Sequence, residues 1–283
     1  MKKLTYLLAI LILFASCRDS RIHEESGWGD IYKNTGVQNP AFILRDHTHE
    51  SVHYLNKDLC LQRSLPASTF KIFNALVALD LGVAPDDNLL IKWDGVDRGN
   101  PAWNKDLTLR EAFRASAVWY FQELARRNGQ AQMQRYLDTV QYGNRRISKI
   151  DTFWLDGSLQ ISPDEQLGFI RQLYFNELPF AERSQRIVKS MMLWEDSSRY
   201  KLYYKTGWGK QVAGPDVLWV VGFSERIEHV KEHKESMNKS DIRAYPYFFA
   251  QRFELPANHD TTRDWAAERI TLLKQVLREA HAL

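Results

Sequence analysis

The sequence predicts an α+β fold, with an antiparallel sheet assembled from both chain ends and a helical block inserted between its halves. Three observations carry this. Short runs of β-branched and aromatic residues occur at 41–56 and return at 201–255. Apolar stripes at helical spacing fill most of 69–193, and an amphipathic stretch, WAAERITLLKQVLREA, closes the chain at 265–280. Such an arrangement has two subdomains and a seam, and pockets form at seams. With 283 residues, 44% hydrophobic and 26% charged, the chain is an ordinary globular protein with ample core.

The first residues, MKKLTYLLAILILFASC, place two lysines before an apolar run from Leu4 to Phe14. The run is too short to cross a bilayer comfortably and has the layout of a secretory signal over 1–17. Its ending, Phe14-Ala15-Ser16-Cys17, resembles a bacterial lipoprotein box, with Cys17 as the lipidated residue. A polar tether is expected at 18–26. The formal charge is +3, and Lys2 and Lys3 leave with the signal. So balanced a charge gives no argument for nucleic acid or an acidic membrane surface as a partner. With Cys17 acylated, Cys60 has no disulfide partner.

AFILRD (41–46) and SVHYLN (51–56) read as a hairpin. Between them lies His49-Glu50-Ser51-Val52-His53, the H-E-x-x-H pattern of zinc peptidases. That chemistry needs both imidazoles on one helical face and a third ligand. Residues 45–57 make a poor amphipathic stripe, so His49 is expected in a turn and His53 in a strand. No metal site is expected, and His47, His49 and His53 read as exposed residues of an outer hairpin. Next comes TFKIFNALVALDLGV (69–83), a helix apolar on most sides, then helices at 108–115, 119–128, 131–139, 163–176 and 180–193. Strands follow at 201–207, 217–225 and 245–255. The sheet part is expected over about 27–66 and 197–283, and the helical part over about 67–196.

The chemistry begins at PASTFK, 66–71. Ser68 and Lys71 stand three apart, so on a first helical turn their side chains meet. Backbone N–H groups at a helix start can stabilise an oxyanion, and a basic amine beside a serine can take its proton. The spacing S-x-x-K occurs three times, at Ser68/Lys71, Ser198/Lys201 and Ser236/Lys239. Only the first opens a buried apolar helix. A lysine flanked by Phe70, Ile72 and Phe73 is a poor surface residue. The second element is Lys205-Thr206-Gly207, which on a strand offers a cation, a hydroxyl and close backbone approach. S-x-x-K with K-T-G is the motif pair of serine β-lactamases and penicillin-binding proteins.

The middle motifs narrow this. There is no S-D-N; Ser116-Ala117-Val118 lies 48 residues after Ser68, followed by Tyr142-Gly143-Asn144, FWLDGSLQIS (153–162), QLGFI (166–170) and KTGWG (205–209). From about residue 27 onward this ordered set closely resembles the class D β-lactamases, the oxacillinases, and the related β-lactam sensor domains. The resemblance implies the serine β-lactamase/penicillin-binding (DD-peptidase-like) fold and hydrolysis of β-lactam antibiotics through an acyl-enzyme.

It implies Ser68 as nucleophile and Lys71, carbamylated by CO2 or bicarbonate, as general base. Ser116 would relay a proton and Lys205 hold the electrostatics. Val118 and Leu155 match positions lining the lysine pocket, and Trp154 the indole that bonds the carbamate. Thr206, Gly207 and Trp208 would contact substrate, with Ser68 and Trp208 N–H groups as the oxyanion hole. Tyr142 and Asn144 read as braces. An arginine before or within the last helix would bind the substrate carboxylate; Arg269 matches best and Arg263 competes. The family chemistry needs no metal and a small-molecule β-lactam as its only partner. A periplasmic monomer or homodimer, anchored through a lipid on Cys17, is expected. A sensor or penicillin-binding module that is acylated without turning over shares Ser68, Lys71, Ser116 and Lys205 and is the alternative; a D-alanyl peptidase ranks behind it.

Overall fold

The computed structural model describes residues 21–210, 214–230 and 241–283. The segment holding Cys17 and the expected signal, and the Ser236/Lys239 pair, lie outside these residues. The described residues form nine strands: β1 (Ile22–Glu24), β2 (Gln38–Asp46), β3 (Ser51–Leu55), β4 (Leu90–Ile91), β5 (Leu107–Thr108), β6 (Leu193–Asp196), β7 (Tyr200–Lys210), β8 (Asp216–Val230) and β9 (Asp241–Leu255). Seven of them form one sheet in the order β1-β3-β2-β9-β8-β7-β6, antiparallel throughout except for the parallel edge pair β1/β3. The expected two-ended sheet is therefore present, because β2 from the N-terminal part pairs directly with β9 from the C-terminal part.

The inner strands are buried on both faces. On β8, Val217, Trp219, Val221 and Phe223 enter the core beneath the helical block, while Leu218 and Val220 enter a second core on the opposite face. β2 divides in the same way, Ala41 and Ile43 against Phe42 and Leu44. A strand alternates its side chains, so apolar residues at both parities mean cover on both sides.

That cover comes from the helices: α1 (Gly29–Tyr32), α2 (Lys57–Leu61), α3 (Lys71–Asp80), α4 (Leu109–Ala115), α5 (Val118–Asn128), α6 (Gln130–Val140), α7 (Pro163–Tyr174), α8 (Glu182–Met192) and α9 (Trp265–Glu279). Helices α3 to α8 make the inserted block, with α7 laid against β2, β8 and β9. Helix α9, with Trp265, Leu272, Leu273, Val276 and Leu277, seals the far face. The boundaries have local causes. Ser162 and Glu165 form a capping box with Pro163 in the first turn of α7, Thr108 and Glu111 do so for α4, and Asp264 accepts from the Ala267 N–H at α9.

Four details differ from expectation. The expected helix from 69 begins as a 3-10 turn, Ala67–Phe70, and becomes α-helical at Lys71. Part of the expected tether is structured: Ile22–Glu24 pair with β3. HESVH is turn and strand, as read, but it is not wholly exposed. His53 Nδ1 lies 2.8 Å from Glu25 Oε1 and its Nε2 lies 2.9 Å from Ser51 Oγ, while the His47 ring packs on Phe175 at 4.7 Å. Both become half-buried because β1 and the end of α7 cover them; only His49, beside Asp46, stays exposed.

Candidate active site

Ser68 sits in the 3-10 turn, with Ala67 before it in the left-handed region at φ +48°. A non-glycine residue there is costly and persists only where surroundings hold it, a pattern concentrated at functional sites. Here the supports are explicit. The Ala67 N–H donates to the Trp154 carbonyl at 3.1 Å, and Trp219 Nε1 donates to the Leu65 carbonyl at 3.0 Å. Thr69 Oγ1 donates to the Pro66 carbonyl and accepts from Gln166 Nε2, while Tyr142 OH donates to Gln166 Oε1 at 3.4 Å. Asn144 ties down the 153–162 loop, donating to the Ser158 carbonyl and accepting from the Gln160 N–H. Gln166, Thr69 and Trp219 escaped the sequence reading; QLGFI was the only trace of Gln166, and nothing local pairs Trp219 with Leu65.

Strand β7 lies against this turn, and its glycines set the distance. A Cβ on Gly207 would stand 3.0 Å from the Pro66 carbonyl oxygen and 3.2 Å from Thr69 Cγ2. One on Gly209 would stand 2.6 Å from Leu65 Cδ1. The K-T-G-W-G spacing thus sets β7 close against the turn that carries Ser68.

Lys71 projects from the first residue of α3 and is fully buried, its Nζ donating to Ser68 Oγ at 2.5 Å. The Nζ also lies 5.5 Å from the centre of the Phe121 ring. Burial in this apolar wall pulls the amine from 10.5 down to about 7. With the amine neutral, the same contact runs the other way, from the serine hydroxyl to the nitrogen. Ser116, the left-handed residue ending α4, accepts from Lys205 Nζ at 3.0 Å. Lys205 is itself buried, and desolvation, then the nearby charges of Lys71 and Arg269, hold it well below an ordinary lysine.

Arg269 is 8% exposed and donates to the Gly207 carbonyl at 2.8 Å, its guanidinium 6.0 Å from the Trp208 ring centre. Burial lowers it to about 10. Arg263 turns away, to the Thr35 carbonyl and Glu268. Of the two candidates, only Arg269 meets the K-T-G strand. Val118 opens α5 two residues beyond Ser116, and half-buried Leu155 packs on the main core next to Trp154. The Ser198/Lys201 pair lies in an exposed turn and at the start of β7, away from any such enclosure.

Two features of the charge balance stand out. Lys71, Lys205 and Arg269 converge here, and none forms an ion pair with a carboxylate among the described residues. Trp154 is fully buried, stacked on Phe70 at 5.3 Å, and its indole N–H has no partner among the described residues. A buried donor left unpaired typically costs about 1–3 kcal/mol. The site therefore has cations and a donor in surplus, and it is short of an anion.

Comparison with known proteins identifies the scaffold. Residues 30–230 match the model of the penicillin-binding protein transpeptidase domain. The chain is 41% identical over 219 residues to β-lactamase OXA-48 of Klebsiella pneumoniae, covering 77% of this chain and 74% of that one. A solved class D β-lactamase from Nostoc superposes with a TM-score of 0.78 at 36% identity, covering 90% of this chain and 99% of that one. The chain belongs to the class D β-lactamase family. A second solved class D β-lactamase, from Sebaldella termitidis, superposes with a TM-score of 0.79 at 32% identity over 93% of this chain and 98% of its own. The class D likeness thus extends over the sheet and the helical block together, so the expected fold is the observed one.

Proposed function

We propose that this chain hydrolyses β-lactams through an acyl-enzyme on Ser68, with carbamylated Lys71 as general base. The observation that carries the proposal is the fully buried Lys71 Nζ, 2.5 Å from Ser68 Oγ with no carboxylate among the described residues paired to it. A depressed amine is nucleophilic toward CO2 at neutral pH, and the resulting carbamate supplies the anion that this enclosure lacks. The unpaired Trp154 N–H is the donor suited to hold it.

Ser68 Oγ attacks the β-lactam carbonyl carbon while its proton passes to the base on Lys71. The backbone N–H groups of Ser68 and Trp208 hold the oxyanion. As the ring C–N bond breaks, Ser116 gives its proton to the departing nitrogen and regains one from the protonated base on Lys71, which is thereby freed, while Lys205 keeps that hydroxyl oriented from 3.0 Å. Deacylation mirrors this: the same base takes a proton from water, the water oxygen adds to the ester carbon, and Ser68 leaves reprotonated.

Nitrocefin turnover with and without bicarbonate tests the reading. In CO2-depleted buffer activity is expected to fall, to recover on adding bicarbonate, and to rise with pH through about 7 as the Lys71 amine becomes neutral. Trp154→Phe keeps the ring and removes the N–H; about 10–100-fold lower kcat, partly rescued by excess bicarbonate, is expected. A bicarbonate-independent rate in both proteins would overturn the base assignment. A burst of one equivalent of product followed by silence would overturn hydrolysis in favour of an acylated sensor.

Arg269, beside Gly207, is the proposed anchor for the substrate carboxylate. Arg269→Gln is expected to raise KM at least about tenfold with a smaller effect on kcat, while Arg263→Gln stays within about twofold of wild type. Equal effects of the two variants on KM would reject this assignment.

A further inference from the structure

The sheet face under helix α9 is apolar except at one place. Gln251 of β9 lies in register with Phe42 on β2 and Val220 on β8, and it shares its side of the strand with Phe249 and Phe253. Those four neighbours all belong to the second core, and Gln251 is fully buried among them. An amide in such surroundings is costly unless both of its ends are paired.

Both ends are paired. Tyr32 OH, at the end of α1, donates to Gln251 Oε1 at 2.9 Å, and Gln251 Nε2 donates to the main-chain carbonyl of Arg269 at 2.9 Å. A helix carbonyl that serves the N–H four residues on keeps a second lone pair, so this clip leaves α9 intact. The partners also dictate which way the amide faces. Turned over, it would set Oε1 against the Arg269 carbonyl oxygen, two acceptors with no proton between them. Tyr32 is buried beside Phe253, with ring centres 6.3 Å apart, and burial pushes its hydroxyl far above the usual tyrosine range, so it stays a donor.

The residue clipped is the one that carries the guanidinium. Arg269 is held at two points, by Gln251 on its carbonyl and by the Gly207 carbonyl, which accepts from Nη1 at 2.8 Å. Its Nε has no partner among the described residues. The reach of the guanidinium toward β7 is therefore set largely by where the α9 backbone stands on the sheet. Two-pronged pairing with a carboxylate is demanding in geometry, so that stance matters to binding.

We propose that Gln251 is a positioning residue for the carboxylate anchor, seating α9 so that Arg269 meets the K-T-G strand, with Tyr32 holding the amide in place. The inference rests on the reading of Arg269 as the group that receives the substrate carboxylate.

Gln251→Leu fills the space and removes both hydrogen bonds. With nitrocefin, KM is expected to rise about five- to tenfold while kcat stays within about threefold of wild type. Added to Arg269→Gln, the same substitution should change kcat/KM by less than about twofold, because the clip then positions no guanidinium. A general loosening of the fold would instead lower kcat and multiply with the Arg269→Gln loss. Tyr32→Phe keeps the clip and frees only the amide oxygen, so a rise in KM of about two- to threefold is expected, again absent beside Arg269→Gln. Should Gln251→Leu fail to fold, the Tyr32→Phe pair of measurements decides. Unchanged KM, or losses that multiply in the double variant, would overturn the proposal and leave Arg269 as the anchor. Wild-type KM in Arg269→Gln alone would overturn the anchor reading, and this inference with it.

Discussion

Lys71→Ala is expected to lower β-lactam turnover by about 10⁴-fold or more, because in the proposed mechanism the carbamate on Lys71 is the base for both acylation and deacylation. The same position should show the opposite effect on stability. Lys71 titrates at about 7 in the folded protein, pulled down from 10.5 by burial. Between those values the unfolded chain holds a proton that the folded chain has released, so stability rises with pH across that window. Below about 7 both states are protonated and the cost of a buried ammonium is present in full. Lys71→Met, which fills the space without a charge, is therefore expected to be more stable than wild type by about 2–4 kcal/mol at pH 6 in CO2-free buffer, with the difference shrinking toward pH 10. Chemical denaturation at the two pH values, beside nitrocefin kinetics, measures both effects. A Lys71→Met protein less stable than wild type at pH 6 would mean that the amine is solvated or already paired in the folded state.

Gly207→Val is expected to lower kcat/KM by about 10²–10³-fold while leaving the fold intact. Its Cβ would meet the Pro66 carbonyl oxygen at 3.0 Å, Thr69 Cγ2 at 3.2 Å and Trp219 Cβ at 3.2 Å. Two of these neighbours are held in the nucleophile turn, one by backbone and one through the Thr69–Gln166 hydrogen bond. None can swing away as a flexible side-chain tip would, so β7 must retreat from Ser68. In the proposed mechanism a displacement of about an ångström there separates the Trp208 N–H and Lys205 from the reacting carbon, and errors of that size can cost two orders of magnitude in rate. Far-ultraviolet circular dichroism and Tm, compared with stopped-flow acylation, separate the outcomes: acylation should slow with little change in Tm. Wild-type acylation by Gly207→Val would show that the close approach of β7 is not needed.

Much of the protein was legible in its sequence where the signal is local. The hairpin at 41–56 and the strands from 201 to 255 follow from β-branched and aromatic runs, and the helices from 3.6-residue stripes. Their caps, Ser162/Glu165 and Thr108/Glu111, are written at fixed spacing. The reading of HESVH as turn and strand needed no more than the missing helical stripe. Its histidines were misjudged, because the cover over His47 and His53 comes from Phe175 and Glu25, neither of which is near them in sequence. Gln166 and Gln251 were missed for the same reason, since a buried polar residue in an apolar run shows its purpose only through its partner.

The order of elements and the Ser68/Lys71 and K-T-G motifs were set by sequence alone, since each is encoded within one turn of helix or one length of strand. Folding decided which arginine meets the K-T-G strand, how near β7 comes to Ser68, and how basic the Lys71 amine is. Those properties depend on distance and on exclusion of water, and the groups that impose them, Phe121 against Lys71 and Arg269 against Gly207, meet their partners only when distant segments of the chain pack together.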